Sequence, residues 1–307
     1  MLNEIQEKIL SIVAGMKGTG EGAVNIRSDG QKAFRRNSEH ITIESKTDKD
    51  GIDIRIKPFT KHEDVHIPVV LTESGLHDMV YNDFFVGEGA EVRIVAGCGI
   101  HNCGSCDSQH DGIHTFYVGK NAKVTYIEKH YGEGEGSGKR ILNPQTIVYL
   151  EEGASITMET SQIAGVDDTK RYTKCVASGA NSEVVITEKL LTHGEQHAVS
   201  EMDVILDGEG SRTRVVSRSV AKERSTQIFY PRVQGNTACF GHVSCDAIIM
   251  GEAKVRAIPE ISCNHVDAAL IHEAAIGRIA GEQILQLETL GLTPEEAEEK
   301  ILEGFLR

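Results

Sequence analysis

Val86-Gly-Glu-Gly-Ala-Glu-Val92, Val118-Gly-Lys-Asn-Ala-Lys-Val124 and Leu150-Glu-Glu-Gly-Ala-Ser-Ile156 are three versions of one phrase, and their starts lie 32 residues apart. Each runs aliphatic, two polar or glycine residues, Gly or Asn, Ala, a polar residue, aliphatic. Ser178-Gly-Ala-Asn-Ser-Glu-Val184 and Leu206-Asp-Gly-Glu-Gly-Ser-Arg212 continue it more loosely, each 28 residues on. Gly or Asn before a small residue marks a tight turn, and the aliphatic that follows opens a strand. Strands at 92–95, 124–127 and 184–187 then fall at equivalent positions, with others at 146–150 and 202–206 between them. Turn–strand units of fixed period predict a mainly β protein built as a solenoid or rolled double sheet. The alternative is an ordinary β-sandwich whose turns are alike by chance.

Outward from the repeat, the pattern changes at both ends. Leu2, Ile5, Ile9, Ile12 and Val13 recur at helical spacing, which predicts a short amphipathic helix over 3–15, ending near Gly15. The Gly-rich connector Gly15–Gly22 reads as a hinge, because its Gly18-Thr-Gly20-Glu-Gly22 lacks the strand and the Lys-Ser/Thr of a phosphate loop. Ile41-Thr-Ile43 and Ile52-Asp-Ile54-Arg-Ile56 alternate strictly around a turn at 48–51, the pattern of a hairpin with one wet face. Near the C-terminus Ile284, Leu287 and Leu290 share a helical face that Gly291 ends. Thr293-Pro294-Glu295-Glu296 is a capping box with proline at the first helical position, and Ala297, Ile301, Leu302, Phe305 and Leu306 form the next apolar stripe. The expected organisation is an N-terminal α/β segment (1–65), a β core (66–275) and a helical cap suited to docking (276–307).

Composition narrows the function classes. The chain has 307 residues, a net charge of −14 and no basic stripe, which argues against nucleic-acid binding. No apolar run approaches the roughly 18 residues that cross a bilayer, and the first ten residues lack a signal peptide's apolar centre. A soluble, cytoplasmic protein without a membrane partner is expected. Seven cysteines, an odd number in a chain that needs no disulfide staples, read as free thiols plus metal or cluster ligands.

Two stretches carry candidate chemistry. Cys98-Gly-Ile-His101-Asn-Cys103-Gly-Ser-Cys106 continues to His110 and His114. Cys103-x-x-Cys106 lets two thiolates chelate one metal from a tight turn, with Cys98 or His101 as further ligands, and zinc or a cluster would suit it. The competing reading is a flexible, redox-sensitive loop. The stretch 236–279 holds Cys239, Cys245, Cys263, His242, His265, His272 and Glu273, donors that suit iron or zinc better than magnesium or calcium. If the strands around 245 and 272 are solenoid neighbours, Cys245 and the His272-Glu273 pair come side by side; alternatively, Cys245 is an inert buried thiol. No Walker A, HExxH or GxSxG motif is present. A carbohydrate-active β-solenoid enzyme would use paired carboxylates and stacking aromatics, but no pair stands out and aromatics make up only 5% of residues.

Val243-Ser-Cys245-Asp246-Ala-Ile-Ile-Met-Gly251, Ile258-Pro-Glu260, His272-Glu273-Ala-Ala-Ile-Gly277-Arg278-Ile279 and Leu290-Gly291-Leu292-Thr293 resemble the SufB/SufD family of iron–sulfur cluster assembly proteins. The resemblance is close over 236–307 and continues through the repeats from about residue 80. It implies a right-handed parallel β-helix with a C-terminal helical cap, paired through the β-helix and docked through the cap to a SufC-type ABC ATPase. It further implies a scaffold that passes clusters to apo iron–sulfur proteins and has no catalytic turnover of its own. Cys245 matches the thiolate that SufB members use for cluster formation, Glu273 the carboxylate beside it, and His272 the histidine used on the SufD side. Holding all three, a homodimer would supply what the SufB–SufD heterodimer divides, with Cys245 activated as thiolate by iron or His272 and Glu273 as an exchangeable oxygen ligand. The chain is shorter than typical SufB proteins at its N-terminus, and its Cys98–Cys106 region does not map onto the family pattern. A zinc-binding structural adaptor using only that region is the other reading.

Overall fold

The repeated phrase folds as a repeated corner. Gly89, Asn121, Gly153, Asn181 and Gly210 all adopt left-handed backbone conformations, with φ between 54° and 72°. Gly and Asn tolerate that region best, which is why the phrase alternates between them. Their N–H groups donate to the carbonyls of Lys120, Glu152, Ala180, Glu209 and Ala238 on the coil above, at 2.8–2.9 Å. The following residues, Ala90, Ala122, Ala154, Ser182 and Ser211, are fully buried, so each must be small.

These corners stack in a computed structural model that describes residues 2–18 and 20–306. Met1, Thr19 of the expected hinge and Arg307 lie outside the described residues. The chain is a β-solenoid of about eight turns with 58% of residues in strands. Two sheets of ten and eleven strands face each other, and successive coils add one strand to each. The first runs through Glu91–His101, Lys123–Glu133, Ser155–Ala164, Glu183–Thr192, Arg212–Ala221 and Cys239–Ile249 to a terminal strand, Ala268–Gly277. Pairing along it is parallel and in register, so Val92, Val124, Ile156, Val184, Thr213 and Gly241 form one column. In–out alternation, strict in Lys123–Glu133 and Glu183–Thr192, buries that column and others like it in one continuous core.

The N-terminal segment is part of this frame. Helix α1 (Glu4–Ala14) opens with a capping box between Asn3 and Gln6 and ends on left-handed Gly15, close to the expected bounds. Ile9, Leu10 and Val13 pack on the outer face of the first sheet, against Val24, Ile26, Val70 and Val95. Gly97 and Gly99 make this approach possible, since a Cβ at either would stand 2.5 Å from the Val13 carbonyl or 2.1 Å from Ile9 Cγ2. Ile41–Ser45 and Gly51–Ile56 form the expected antiparallel hairpin, and the latter pairs in parallel with His77–Val86. The expected boundaries at 65/66 and 275/276 fall inside the strands Lys61–Leu71 and Ala268–Gly277, because the sheets run unbroken through both. Two helices follow, α2 (Gly281–Glu288) and α3 (Pro294–Phe305), the latter with its capping box formed. No helix among the described residues is long and apolar enough to cross a membrane.

The corner ladder makes a sharp stability prediction. At Gly153 a Cβ would meet Asn121 Oδ1 at 2.3 Å and force a left-handed alanine. Gly153→Ala is expected to cost about 1–3 kcal/mol in urea unfolding. Gly281→Ala, where a Cβ meets nothing within 4 Å, should be neutral or stabilising by up to ~1 kcal/mol.

Candidate functional site

One inward column of the first sheet is largely polar. Ala96, Glu128, Thr160, Glu188, Ser217 and Cys245 occupy successive coils in register. Its neighbour holds Ile94, Tyr126, Met158, Ile186, Val215 and Val243, then His272 on the terminal strand. A polar column therefore ends at Cys245 and an apolar one at His272. Two positions apart along adjacent strands and both facing inward, their side chains meet: Cys245 Sγ lies 3.3 Å from His272 Nε2.

The electrostatics of this pair are those of neutral groups. Burial, with Asp246 and Glu188 adding negative charge, pushes the Cys245 thiol up to about 12. Burial also lowers His272, against the pull of Glu273. At neutral pH the thiol keeps its proton and the imidazole is uncharged, so His272 does not supply the positive charge that a Cys245 thiolate needs. Glu273 follows His272 and faces the other side of the strand, where its carboxylate meets His242 Nε2 at 2.6 Å. The structure thus joins Cys245 to His272 and places Glu273 on the opposite face. Among the described residues no three His, Cys, Asp or Glu side chains converge as a metal-binding group.

The other candidate region separates likewise. Cys98 is buried among Val69, Leu71, Ile100 and Leu142, and burial raises its thiol well above the usual range. Cys103 and Cys106 are exposed on the loop after Glu91–His101, and Cys103 Sγ touches His101 Nε2 at 3.0 Å. His110 and His114, which follow in the same stretch, are buried in the core. His110 Nδ1 pairs with Asp78 at 3.0 Å, and His114 Nδ1 donates to the Tyr126 hydroxyl at 2.7 Å, which donates onward to Glu128.

The core also holds charges that the sequence reading did not single out. Arg171, projecting from the second sheet, donates to Glu128 and lies 3.4 Å from Glu188, with all three side chains buried. Glu188 accepts from Ser200 at 2.8 Å and from Ser217 at 3.2 Å, and Ser217 is the register neighbour of Cys245. Burial opposes ionisation of Glu128, yet Arg171 and His130 hold its carboxyl well below the usual range. Alternation could have revealed these groups, since Glu128 and Glu188 keep the parity of inward Val124 and Val184.

On the outside of the second sheet, Arg55, Phe85, Tyr117 and Tyr149 stack one per coil, with ring centroids 5.2 and 5.6 Å apart. They line a groove of about 530 Å³ whose one carboxylate is Glu151. The groove thus presents one carboxylate beside its aromatic row, where most glycosidases use a pair.

The family model for the SUF system FeS cluster assembly, SufBD core domain, matches residues 74–305. An iron–sulfur cluster assembly SufBD family protein of Methanothermobacter thermautotrophicus is 28% identical over 86% of this chain and 64% of its own length. The MTH1150 homolog of strain Winter is 30% identical over 74% of this chain and 54% of its own length. MJ0034 of Methanocaldococcus jannaschii is 24% identical over 98% of both chains. The chain therefore spans just over half to under two thirds of the two Methanothermobacter proteins and nearly all of MJ0034.

The buried histidines make the fold acid-sensitive. Burial holds His114 down to about 4 from its ordinary 6.5, so the folded state resists a proton that the unfolded chain accepts. Stability should be full above pH 6.5 and fall as pH drops toward about 4, by on the order of 3 kcal/mol from this group. Asp78, held at about 2, adds a further loss below its ordinary 3.8. Urea midpoints between about pH 7 and pH 4.5 should show the fall, and His114→Asn, which keeps a donor for Tyr126, should shrink it. A flat wild-type profile would contradict this assignment.

Proposed function

The chain belongs to the SufBD family of iron–sulfur cluster assembly proteins, and we propose that it serves that system as a homodimeric scaffold. The observation that carries this reading is the Cys245–His272 contact of 3.3 Å on the last two strands of the first sheet. A soft sulfur and a borderline nitrogen donor side by side suit iron of the nascent cluster, which is the scaffold's cargo. Iron arriving there supplies the positive charge that releases the Cys245 proton. One chain contributes two inward donors. A second copy, laid against the open backbone of Ala268–Gly277, would bring another Cys245 and His272 to complete a four-ligand site.

The terminal strand supports pairing at this edge. It is the last of its sheet, and Ile271 and Ile276 are exposed on it, with Val266 94% exposed just before. An exposed apolar edge of this length invites another strand. Glu273, facing outward beside His242, would meet the partner edge as an exchangeable oxygen ligand during cluster release. The cap offers the docking surface for a SufC-type ABC ATPase. α2 has no buried residue, and Leu290 just beyond it is 78% exposed. α3 is tied to the solenoid by Lys222–Glu298 and by Arg218 donating to the Phe305 carbonyl. ATP hydrolysis in that partner would drive release to apo iron–sulfur proteins in the cytoplasm, and the scaffold itself would catalyse no turnover.

Anaerobic reconstitution with ferrous iron and sulfide tests the site through visible absorption and iron and sulfide content. Wild type should turn brown, Cys245→Ala should lose nearly all cluster, and His272→Ala should retain several-fold less. Full cluster in Cys245→Ala, with loss confined to a Cys103→Ala/Cys106→Ala variant, would overturn the assignment. Ile271→Glu puts a charge on the proposed interface. It should yield monomers in light scattering and lose cluster while Cys245 is intact. A stable dimer in that variant would place the pairing surface elsewhere.

A further inference from the structure

At the ends of the adjacent strands Glu91–His101 and Lys123–Glu133, far along the chain from Cys245, a thiol, an imidazole and a carboxylate stand in line. Cys103 Sγ is 3.0 Å from His101 Nε2, and His101 Nδ1 is 3.2 Å from Glu133 Oε1. This is the order of nucleophile, base and orienting acid. Burial would raise the Glu133 carboxyl, but hydrogen bonds from Lys8 of α1, Tyr131 and His101 bring it below its ordinary value. An ionised Glu133 takes the Nδ1 proton of His101 as its hydrogen-bond donor. The Nε2 lone pair then faces the Cys103 thiol, the tautomer that can accept its proton.

Cys106 is held in the same loop by one buried side chain. Asn102 Nδ2 donates to the Cys106 carbonyl at 2.8 Å and to that of Lys139 at 3.3 Å, while Oδ1 accepts from the Gly104 N–H at 3.0 Å. Asn102 is fully buried, and both cysteines beside it are exposed. The loop is therefore fixed from inside with its thiols turned to solvent. Two exposed thiols in a C-x-x-C turn, one with its own base, have the parts for thiol–disulfide exchange.

We propose that Cys103 and Cys106 form a redox-active dithiol that reduces low-molecular-weight disulfides, with Cys103 attacking and Cys106 resolving. His101 takes the Cys103 proton, and the thiolate attacks one sulfur of the small disulfide. The S–S bond breaks, a new bond forms at Cys103 Sγ, and the departing thiolate leaves with the proton. Cys106 then attacks Cys103 Sγ and expels the second thiol with its own proton. The small disulfide gains two electrons and two protons; the protein dithiol loses them and becomes the Cys103–Cys106 disulfide. Nothing in this cycle depends on Cys245 or on the scaffold reading.

The test treats the reduced full chain anaerobically with equimolar cystamine, then maps every cysteine by acid quench, alkylation and mass spectrometry. Wild type should form the Cys103–Cys106 disulfide and release both halves of cystamine as free thiol. Cys106→Ser should stop at a mixed disulfide on Cys103, formed faster than on exposed Cys263 in the same molecule. In that background His101→Phe should slow Cys103 about tenfold near pH 7, with the gap closing at alkaline pH as hydroxide takes over the role of the base. A merely structural role for His101 would give no such pH-dependent convergence. Attack at Cys106, equal rates at Cys103 and Cys263, or separate mixed disulfides without bridging would each overturn the proposal.

Discussion

Everything in this molecule depends on the in-register parallel ladder between successive coils. Each coil places its strand residues over those of the coil before, so a side chain's neighbours are the residues one period away. A position within the coil therefore becomes a column along the axis. Columns of aliphatic residues make the core continuous, and a polar column can persist over successive coils, as from Glu128 to Cys245. The left-handed corners maintain this register, because each returns the chain to the same height relative to its neighbour. At the end of the pairing between Ser155–Ala164 and Lys123–Glu133 the ladder slips by one residue, between Gln162 and Ala164.

The polar column shows how such a core tolerates charge. Glu128 and Glu188 would be costly in isolation, and Arg171 between them makes each a partner in a bonded group. Ser200 and Ser217 satisfy the remaining oxygens of Glu188, and Tyr126 adds a hydrogen to Glu128. The negative charge that remains toward Cys245 helps to keep its thiol protonated. Structure and reactivity are thereby linked: the interior that stabilises the fold also keeps the Cys245 thiol protonated.

The fold was legible because its signal is local and repeated. Gly89-Ala90, Asn121-Ala122 and Gly153-Ala154 announce their corners without any tertiary information. The capped helices were legible for the same reason, from Asn3/Gln6 and Thr293/Glu296. At the site, adjacency of Cys245 and His272 followed from treating their strands as neighbours. The orientation of Glu273 follows from simple alternation, since it must face away from His272. The 32-residue period was available for more than turns: His101–Glu133 and Asp78–His110 are each one period apart and each in contact. By contrast, Arg171 reaches Glu128 from the opposite sheet, and no spacing along the chain encodes which facing residues meet across a core.

The two ends of the solenoid are unlike. At the N-terminal end both sheets finish in antiparallel strands, Gln31–Arg36 and Ile41–Ser45, short and followed or filled by charged and polar side chains. Such strands blunt an edge against further addition. At the other end the first sheet finishes in the ten-residue parallel strand Ala268–Gly277. A rod blunted at one terminus leaves at most one end open to strand addition, a valence of one at this edge. Copies that added there would meet tail to tail and stop, whereas a rod open at both termini would propagate into a fibre.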